Sequence, residues 1–380
     1  MTSKPRTYTI LHTESSRGWG GQERRILTEA QIMRDRGHRL LIGADPRGQL
    51  WQRSRQAGFP GVNLEFGGLA NLRAIWAIRR VCRAEAVDII NTHSSLDSWI
   101  GLVATANLSG RANQRRPRLI RTRHLTTPIQ TTWPTRLLYQ TPDAVITTGQ
   151  AIKNLIMERA RVPGARIYPI PTGVSLTEFY PRPAPVWTSL PQAWPEGAFI
   201  VGIVAVLRSW KGHLYLLEAL KQVVAASEPA YLLIVGDGPY REVIRNRVQS
   251  LGLTERVWLT GHQEQVADWL ARMDVVVLPS YANEGVPQAL LQAMAMGKAV
   301  IGANFGGIAE IITPGQNGLL VPPRDPEALA QALLTLMRQP KRAKAYGRQG
   351  WALVQARYSL THMAEAVEAV YDRVLSDGVF

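Results

Sequence analysis

The sequence has 380 residues, a single cysteine and a formal net charge of +15 at pH 7. This length exceeds one typical core and predicts two domains, while one cysteine excludes an intramolecular disulfide framework and fits a reducing cytoplasm. No apolar segment reaches the ~20 residues of a membrane span, and no apolar leader follows Met1. We therefore expect a soluble or peripheral protein without a secretory signal, in which Cys82 is a buried, inert thiol.

In the first half, strand-like runs alternate with helical patterns, which is typical of parallel sheets with crossover helices. The runs cover residues 7–12, 39–43, 87–93, 118–124, 144–148 and 166–170. A loop of residues 16–23 follows the first run and contains Gly20 and Gly21 directly before a helical pattern. The two glycines would let the backbone approach a ligand, although an ordinary strand-to-helix turn explains them about equally well.

The positive charge is concentrated in this half: residues 1–180 hold 26 Lys and Arg against 12 Asp and Glu, and residues 181–380 hold 18 against 17. One basic stretch alternates apolar and charged residues, namely Leu72, Arg73, Ile75, Trp76, Ile78, Arg79, Arg80 and Arg83. A second contains Arg111, Arg115, Arg116, Arg118, Arg121 and Arg123. Such a surface attracts nucleic acid, an anionic lipid headgroup or a phosphorylated glycan, or it is only a solvated basic face.

Among the seven histidines, two that end predicted strands are singled out. His93 and His124 follow apolar runs, and the carboxyl ends of parallel strands line the ligand edge of an open sheet. Both are therefore candidates for contact with a substrate, although most histidines near strands are structural.

The second half repeats the alternation after a proline-rich segment. Pro181, Pro183, Pro185, Pro191 and Pro195 break all periodicity, so residues 181–197 are predicted to be a linker between domains of residues 1–180 and 198–358. The strand-like runs are 199–206, 231–236, 257–260, 275–279, 299–302 and 319–321. A last helix, about 360–375, lies in a C-terminal segment (359–380) that is expected to cross back to the first domain.

Residues 272–321 carry the most specific pattern, a β-α-β unit. The buried run 275–279 leads through Glu284-Gly285-Val286-Pro287 into a helix, and residues 299–302 begin the next strand. Because the loop lies at a strand's carboxyl end and free amides at the helix start attract anions, Glu284 is predicted beside a phosphate site. Lys211, after the run 199–206, is predicted to open a helix at the same edge.

At this point the chain resembles the retaining glycosyltransferases of family 4, whose hallmark is a Glu, seven intervening residues and a second Glu. Glu284 fills the first position and Gln292 the second. The resemblance continues in order through residues 169–174, 211–212, 235–239, 306–310 and 317–322. It implies the GT-B fold, in which two Rossmann-like parallel-sheet domains face each other across a cleft.

The resemblance also implies roles for individual residues. Glu284 would hold hydroxyls of the donor sugar, Gln292 the nucleotide ribose, and Lys211 the diphosphate, with Arg208 as companion. His124 would touch the donor sugar near the reaction centre. Further donor contacts are expected at Gly20, Gly21, Gly261, His262, Gly285, Val286, Pro287, Gln288 and Glu310. Acceptor contacts are expected at Arg17, Trp19 and His93. A local carboxylate partner for Lys211, and helix capping by Glu310, are the structural alternatives.

The expected activity is transfer of a sugar, with retention, from a nucleotide diphosphate to an anionic, membrane-held envelope acceptor such as lipopolysaccharide core, a capsule precursor or a glycolipid. The chain contains no Asp-x-Asp pair, so neither metal nor other cofactor is expected. The enzyme would work in the cytoplasm at the inner face of the membrane. Two alternatives remain: a basic module for nucleic acid or protein with a vestigial nucleotide cleft, and a GT-B epimerase or phosphorylase.

Overall fold

The computed structural model describes residues 6–106, 116–184, 194–195, 197–226 and 229–376. Arg111, Arg115, Pro185, Pro191 and most of the predicted linker lie outside these residues. The chain divides into two compact units, unit 1 (Met1–Pro171 with Thr361–Phe380) and unit 2 (Thr172–Leu360). The first boundary precedes the predicted linker because Val174 and Phe179 are buried in the core of unit 2.

Unit 1 is a seven-stranded parallel sheet in the order β3-β2-β1-β4-β5-β6-β7. Its strands are β1 (Thr9–Glu14), β2 (Arg39–Ala44), β3 (Gly61–Asn63), β4 (Ile89–Thr92), β5 (Arg118–Arg123), β6 (Ala144–Thr147) and β7 (Ile167–Pro169). Its helices are α1 (Gly21–Asp35), α2 (Gln49–Gln56), α3 (Ala70–Ala84), α4 (Ser95–Thr105), α5 (Trp133–Gln140), α6 (Gln150–Ala160) and the C-terminal α14 (Leu360–Ser376). The short edge strand β3 was not predicted, and β1 begins and ends two residues later than expected.

Unit 2 is a six-stranded parallel sheet in the order β10-β9-β8-β11-β12-β13. Its strands are β8 (Phe199–Val204), β9 (Ala230–Val235), β10 (Val257–Gly261), β11 (Val275–Leu278), β12 (Ala299–Ala303) and β13 (Leu319–Val321). Its helices are α7 (His213–Ala225), α8 (Arg241–Ser250), α9 (Val266–Arg272), α10 (Gln288–Ala295), α11 (Ile308–Ile311), α12 (Pro326–Arg338) and α13 (Pro340–Arg357). The predicted β-α-β unit is confirmed as β11-α10-β12, with β11 and β12 paired in parallel.

Both sheets are buried on two faces, which explains why their strands read as continuous apolar runs. All four residues of β11 and all five of β12 are buried. Cys82 lies on the buried face of α3, and burial raises the pKa of its thiol to about 12, as expected for an unreactive cysteine. Within the described residues, no helix is both long enough and apolar enough to cross a membrane.

The terminal helix α14 is part of unit 1 and is joined to it by buried polar groups. The Tyr371 hydroxyl donates to Glu29 Oε1 at 3.2 Å and accepts from Asn91 Nδ2 at 3.4 Å. Glu29 also forms an ion pair with Arg25 at 2.9 Å, and both of these side chains are fully buried. Burial raises the pKa of Tyr371 well above its usual value, so the hydroxyl keeps the proton that it donates.

Candidate functional site

The strongest candidate in unit 2 lies where the strand order reverses. Strands β8 and β11 are neighbours, and the chain leaves them in opposite directions across the sheet, the point at which open α/β sheets bind ligands. Lys211 follows β8, Glu284 follows β11, and the Lys211 ammonium donates directly to Glu284 Oε1. Ser280 Oγ donates to the same carboxylate oxygen at 3.1 Å. The structure therefore brings together the two residues for which sequence reasoning predicted a shared site.

A tight turn places Lys211 beside the end of β11. Lys211 does not open a helix as predicted: it ends a single turn of 3-10 helix, and α7 begins at His213. Gly212, between them, has φ +80°, and a Cβ there would stand 2.2 Å from the carbonyl oxygen of Pro279. Only glycine fits this close approach in the left-handed region.

A pair of glycines approaches the backbone of Glu284 from another loop. Gly306 has φ +52°, and its Cβ would stand 2.5 Å from the Glu284 carbonyl oxygen. A Cβ on Gly307 would stand 2.3 Å from Gly285 C, and the Gly307 amide donates to the Glu284 carbonyl at 3.3 Å. Glu284 is 5% exposed, so the turn of Gly306 and Gly307 contacts the backbone of a buried acid.

Helix α10 begins immediately beyond Glu284 and presents its amino end to the same loop. Gly285, Val286 and Pro287 are buried and lead into Gln288, its first residue. The first amides of a helix have no partner within the helix and carry partial positive charge, so they favour an anion. Gln292, one turn further along, is half-buried.

The remaining predicted donor residues surround this centre less closely. Arg208 is exposed, with its guanidinium 5.6 Å from the centre of the Trp210 ring. Gly261 ends β10, which β9 separates from β8, and His262 follows it and bonds to Glu264 at 3.3 Å. Glu310 is exposed on α11, next to the turn of Gly306 and Gly307.

In unit 1, three histidines form a buried chain at the carboxyl edge. His12 lies on β1, His93 directly after β4 and His124 directly after β5, which are adjacent strands. His12 Nδ1 and His93 Nε2 are 3.0 Å apart, and His93 Nδ1 and His124 Nε2 are also 3.0 Å apart. Sequence reasoning predicted His93 and His124 but missed His12, whose position as the last residue of the first predicted strand was the available signal.

Burial lowers the pKa of all three imidazoles, that of His124 to about 3, so all three rings are neutral near pH 7. A neutral imidazole has one donor and one acceptor nitrogen, and the three rings can therefore exchange tautomers only together. His12 Nε2 is buried without a hydrogen-bond partner among the described residues. An unpaired buried N–H is rarer than an unpaired acceptor, so His12 Nε2 is expected to carry no hydrogen. In that case each ring carries its hydrogen on Nδ1: His12 donates to His93, His93 donates to His124, and His124 Nδ1 keeps a hydrogen to donate.

A pair of buried acids lies beside the histidine chain, and sequence reasoning missed both. Asp97 accepts from the amide of His93 at 2.8 Å and from Thr13 Oγ1 at 3.0 Å. Glu14 ends β1 and accepts from the Ser16 amide at 2.7 Å. Burial, reinforced by the nearby Asp97, raises the pKa of Glu14 to about 8. The carboxyl of Glu14 is therefore protonated over much of the neutral range.

The glycine loop of unit 1 forms the start of α1. Gly20 is its N-cap, and the Gly20 amide donates to Glu23 Oε2 at 2.8 Å. A Cβ on Gly21 would have no atom within 4 Å, so the space beside it is open to a ligand. Arg17 is already paired with Asp45 at 2.9 Å.

Trp19, in the same loop, lies between two guanidinium groups. Arg53 is 4.5 Å and Arg24 5.8 Å from its ring centre, and its indole nitrogen is buried without a hydrogen-bond partner among the described residues. This ring is thus held in place by local cations. Among the residues that the structure describes, no group of three or more His, Cys, Asp or Glu side chains could hold a metal ion.

Comparison with known proteins agrees with this architecture. The chain is similar to the lipopolysaccharide core biosynthesis mannosyltransferase LpcC of Rhizobium leguminosarum bv. viciae, with 28% identity over 64% of this chain and 68% of the relative. With seven further curated relatives, the match spans only 19% to 54% of the relative's length.

Solved structures share the fold over nearly the whole chain. A glycosyltransferase from Rickettsia africae has a TM-score of 0.85 at 22% identity, covering 98% of this chain and 100% of its own. The Anabaena protein HepE, solved with UDP-glucose, has a TM-score of 0.80 at 21% identity, covering 96% and 100%. These likenesses establish the fold, which is the GT-B fold.

Two family models divide the chain between them, as its two units do. The model described as Glycosyltransferase Family 4 matches residues 19–178, and the model described as Glycosyl transferases group 1 matches residues 198–339. The first match begins at the glycine loop of unit 1, and the second includes both Lys211 and Glu284. Together they account for most of the sequence, and the chain belongs to the family 4 glycosyltransferases.

Proposed function

We propose that this chain transfers a sugar, with retention, from a nucleotide diphosphate donor to an anionic acceptor of the cell envelope that is held at a membrane. The observation that carries the proposal is the contact of Lys211 with Glu284 at the reversal of strand order in unit 2. A cation, a buried carboxylate and the free amides of α10 converge there. They are the groups that a diphosphate attached to a polyhydroxylated sugar requires.

Each group has a defined task in the proposed reaction. Lys211 exchanges its bond to Glu284 for the donor diphosphate and stabilises the charge that develops as the glycosidic bond to phosphate breaks. Glu284, freed from the ammonium but still bonded to Ser280, accepts hydrogen bonds from sugar hydroxyls. Arg208 adds a second cation, and Gln292 binds the ribose through its amide.

The proton of the acceptor hydroxyl passes to an oxygen of the departing phosphate as the new bond forms on the same face of the sugar. No carboxylate attacks the sugar, and neither metal nor other cofactor is needed, because Lys211 and helix amides supply the stabilising charge. His124 contacts the sugar as a neutral hydrogen-bond donor through Nδ1.

Unit 1 would bind the acceptor through Arg17, Trp19 and His93. Its excess of Lys and Arg favours an anionic acceptor, and the lipopolysaccharide core activity in the name of the Rhizobium relative points to the same class. We place the reaction in the cytoplasm at the inner face of the membrane, where such acceptors are assembled.

The decisive experiment uses the full chain with a panel of UDP-, GDP-, ADP- and dTDP-sugars. One of these donors should raise the melting temperature and be slowly hydrolysed. In the Lys211→Ala and Glu284→Ala variants, the hydrolysis rate should fall at least about a hundredfold and the rise in melting temperature should be lost, because each variant removes a charge-assisted contact.

Lys221→Ala and Glu255→Ala are matched controls, since both side chains are exposed elsewhere in unit 2. They should behave as the wild type. Substantial turnover in Lys211→Ala or Glu284→Ala, with folding intact, would contradict the assigned roles. Indifference of the wild type to every donor would contradict the proposed reaction.

A further inference from the structure

The outward face of α3 in unit 1 combines exposed apolar and basic side chains. By the 3.6-residue period, one stripe of this helix and its N-cap contains Leu69, Leu72, Arg73, Trp76, Arg80 and Arg83. Leu69 is 79% exposed, Trp76 65% and Leu72 57%. We call these six residues the α3 stripe.

The opposite face of α3 accounts for the attachment of the helix to the protein. Ala74, Ile78 and Cys82 are buried against the sheet in a core that includes Leu11 and Ile90. The stripe is therefore not needed for packing within unit 1. A tryptophan and two leucines left in water at this exposure cost free energy unless another apolar medium covers them.

Charge on the stripe selects the kind of surface that would cover it. Helix α3 contains four arginines and no acidic residue. Of the four, Arg79 is bonded to the carbonyls of Ala104 and Val103 at the end of α4, and the other three are exposed. An apolar stripe with exposed arginines and a tryptophan is the composition of helices that lie in the interface of an anionic bilayer.

Other exposed apolar residues lie at the same edge of the sheet as the first turn of α3. Helices that follow parallel strands begin at the carboxyl edge, so the first turns of α3, α4 and α5 share that edge. Leu96 lies in the first turn of α4 and is 38% exposed, Leu125 follows β5 and is 46% exposed, and Trp133 begins α5 and is 76% exposed. The histidine chain and the Gly20 loop lie at this same edge.

We infer that the α3 stripe docks unit 1 on an anionic lipid bilayer and that the exposed apolar residues of α4 and α5 extend the contact along the sheet's carboxyl edge. The inference deepens the proposed function, since it would place the candidate acceptor residues next to the lipid in which a membrane-held acceptor is anchored. Leucine and tryptophan favour a bilayer over nucleic acid, which offers no hydrocarbon to cover them.

The test uses the chain's single cysteine to advantage. In a Cys82→Ser background, Leu72→Cys is labelled with an environment-sensitive dye, and Val243→Cys on the exposed face of α8 in unit 2 serves as the matched control. The probe is vesicles of phosphatidylcholine alone or of equal parts phosphatidylcholine and phosphatidylglycerol. The Leu72→Cys label should shift to the blue with the anionic vesicles only and lose the shift in high salt, while the Val243→Cys label should not respond.

Affinity measured by vesicle sedimentation provides a second readout on the unlabelled protein. Leu72→Ser with Trp76→Ser, and separately Arg80→Gln with Arg83→Gln, should each weaken binding about tenfold or more. Val243→Ser with Arg245→Gln should not weaken it. Substitutions at these exposed positions should leave thermal stabilisation by the nucleotide sugar unchanged. A loss of vesicle binding can therefore be told apart from a loss of the proposed reaction.

Three results would overturn the inference. The first is an equal response at the two labelled positions or no response to anionic vesicles. The second is a shift of the Leu72→Cys label without lipid as protein concentration rises, which would assign the stripe to self-association. The third is a shift with an RNA oligonucleotide but not with vesicles.

Discussion

Buried side chains at the carboxyl edge of unit 1 hold protonation states that differ from those of the same groups in water. The three linked histidines are neutral and Glu14 keeps its proton near neutral pH, chiefly because burial disfavours the charged form of each group. In unit 2, Lys211 and Glu284 form an ion pair at the reversal of strand order. Polar groups at the carboxyl edges of both sheets are therefore arranged before any ligand arrives.

The raised pKa of Glu14 predicts how stability depends on pH. Between about 4.5 and about 8, the Glu14 carboxyl holds a proton in the folded chain that it has released in the unfolded chain, so the contribution of Glu14 to stability falls as pH rises through this window. Glu14→Gln should remove this fall: its free energy of unfolding should equal the wild type's near pH 4.5 and exceed it by on the order of 4 kcal/mol at pH 8.

Urea denaturation at several pH values measures the effect. Glu158→Gln on the exposed surface of α6 is the control, and its difference from the wild type should stay small and flat. A Glu14→Gln difference that does not grow with pH would show that the carboxyl is ionised in the folded protein.

At the scale of elements, the turn before α7 sets the position of Lys211. Gly212→Ala should destabilise the protein by about 3 kcal/mol or more, because it adds a clash with the Pro279 carbonyl to the cost of a left-handed alanine. It should also weaken nucleotide-sugar binding by moving Lys211 away from Glu284. Chemical denaturation and thermal shift with the donor measure the two effects.

Gly252→Ala separates the two causes of that loss. Gly252 has φ +69°, but its Cβ would meet no atom within 4 Å. The only cost is therefore that of a left-handed alanine, and the loss of stability should be about 1 kcal/mol. Equal losses in the two variants would mean that the contact with Pro279 does not constrain the turn.

The elements that sequence predicts well are those whose signal is local. Strand β11 and the helix after Glu284 are predicted from apolar runs and from Gly297, which ends the helix. Their place at the ligand site follows because the carboxyl ends of parallel strands line one edge of the sheet. Strand β3 was missed because Gly61-Val62-Asn63 contains one apolar residue. The end of β1 was placed too early because Thr13 and Glu14 are polar, yet both are buried, and Thr13 donates to Asp97 on α4. Such partners are distant in sequence and leave no periodic signal.

At the scale of the molecule, α14 makes unit 1 depend on the last part of the sequence. Tyr371→Phe removes the hydroxyl bonded to Glu29 and Asn91 and should destabilise unit 1 by about 1 to 2 kcal/mol. Hydrogen exchange followed strand by strand should show faster opening of β1 and β4, with β8 and β11 unchanged.

Tyr346→Phe is the matched variant in unit 2, where the hydroxyl accepts from Arg342 Nε at 2.6 Å. This variant should speed the opening of β8 and β11 and leave β1 and β4 unchanged. Equal acceleration of both sheets in either variant would mean that the two units open as a single cooperative body.

The membership of α14 in unit 1 has a consequence for synthesis on the ribosome. The seven strands of the first sheet emerge early, but the helix that supplies Tyr371 to the buried pair of Arg25 and Glu29 is translated only after the whole of unit 2. Unit 2, whose elements are contiguous, can fold while unit 1 still waits for its last helix. The part of the protein that is made first is thus the part that is finished last.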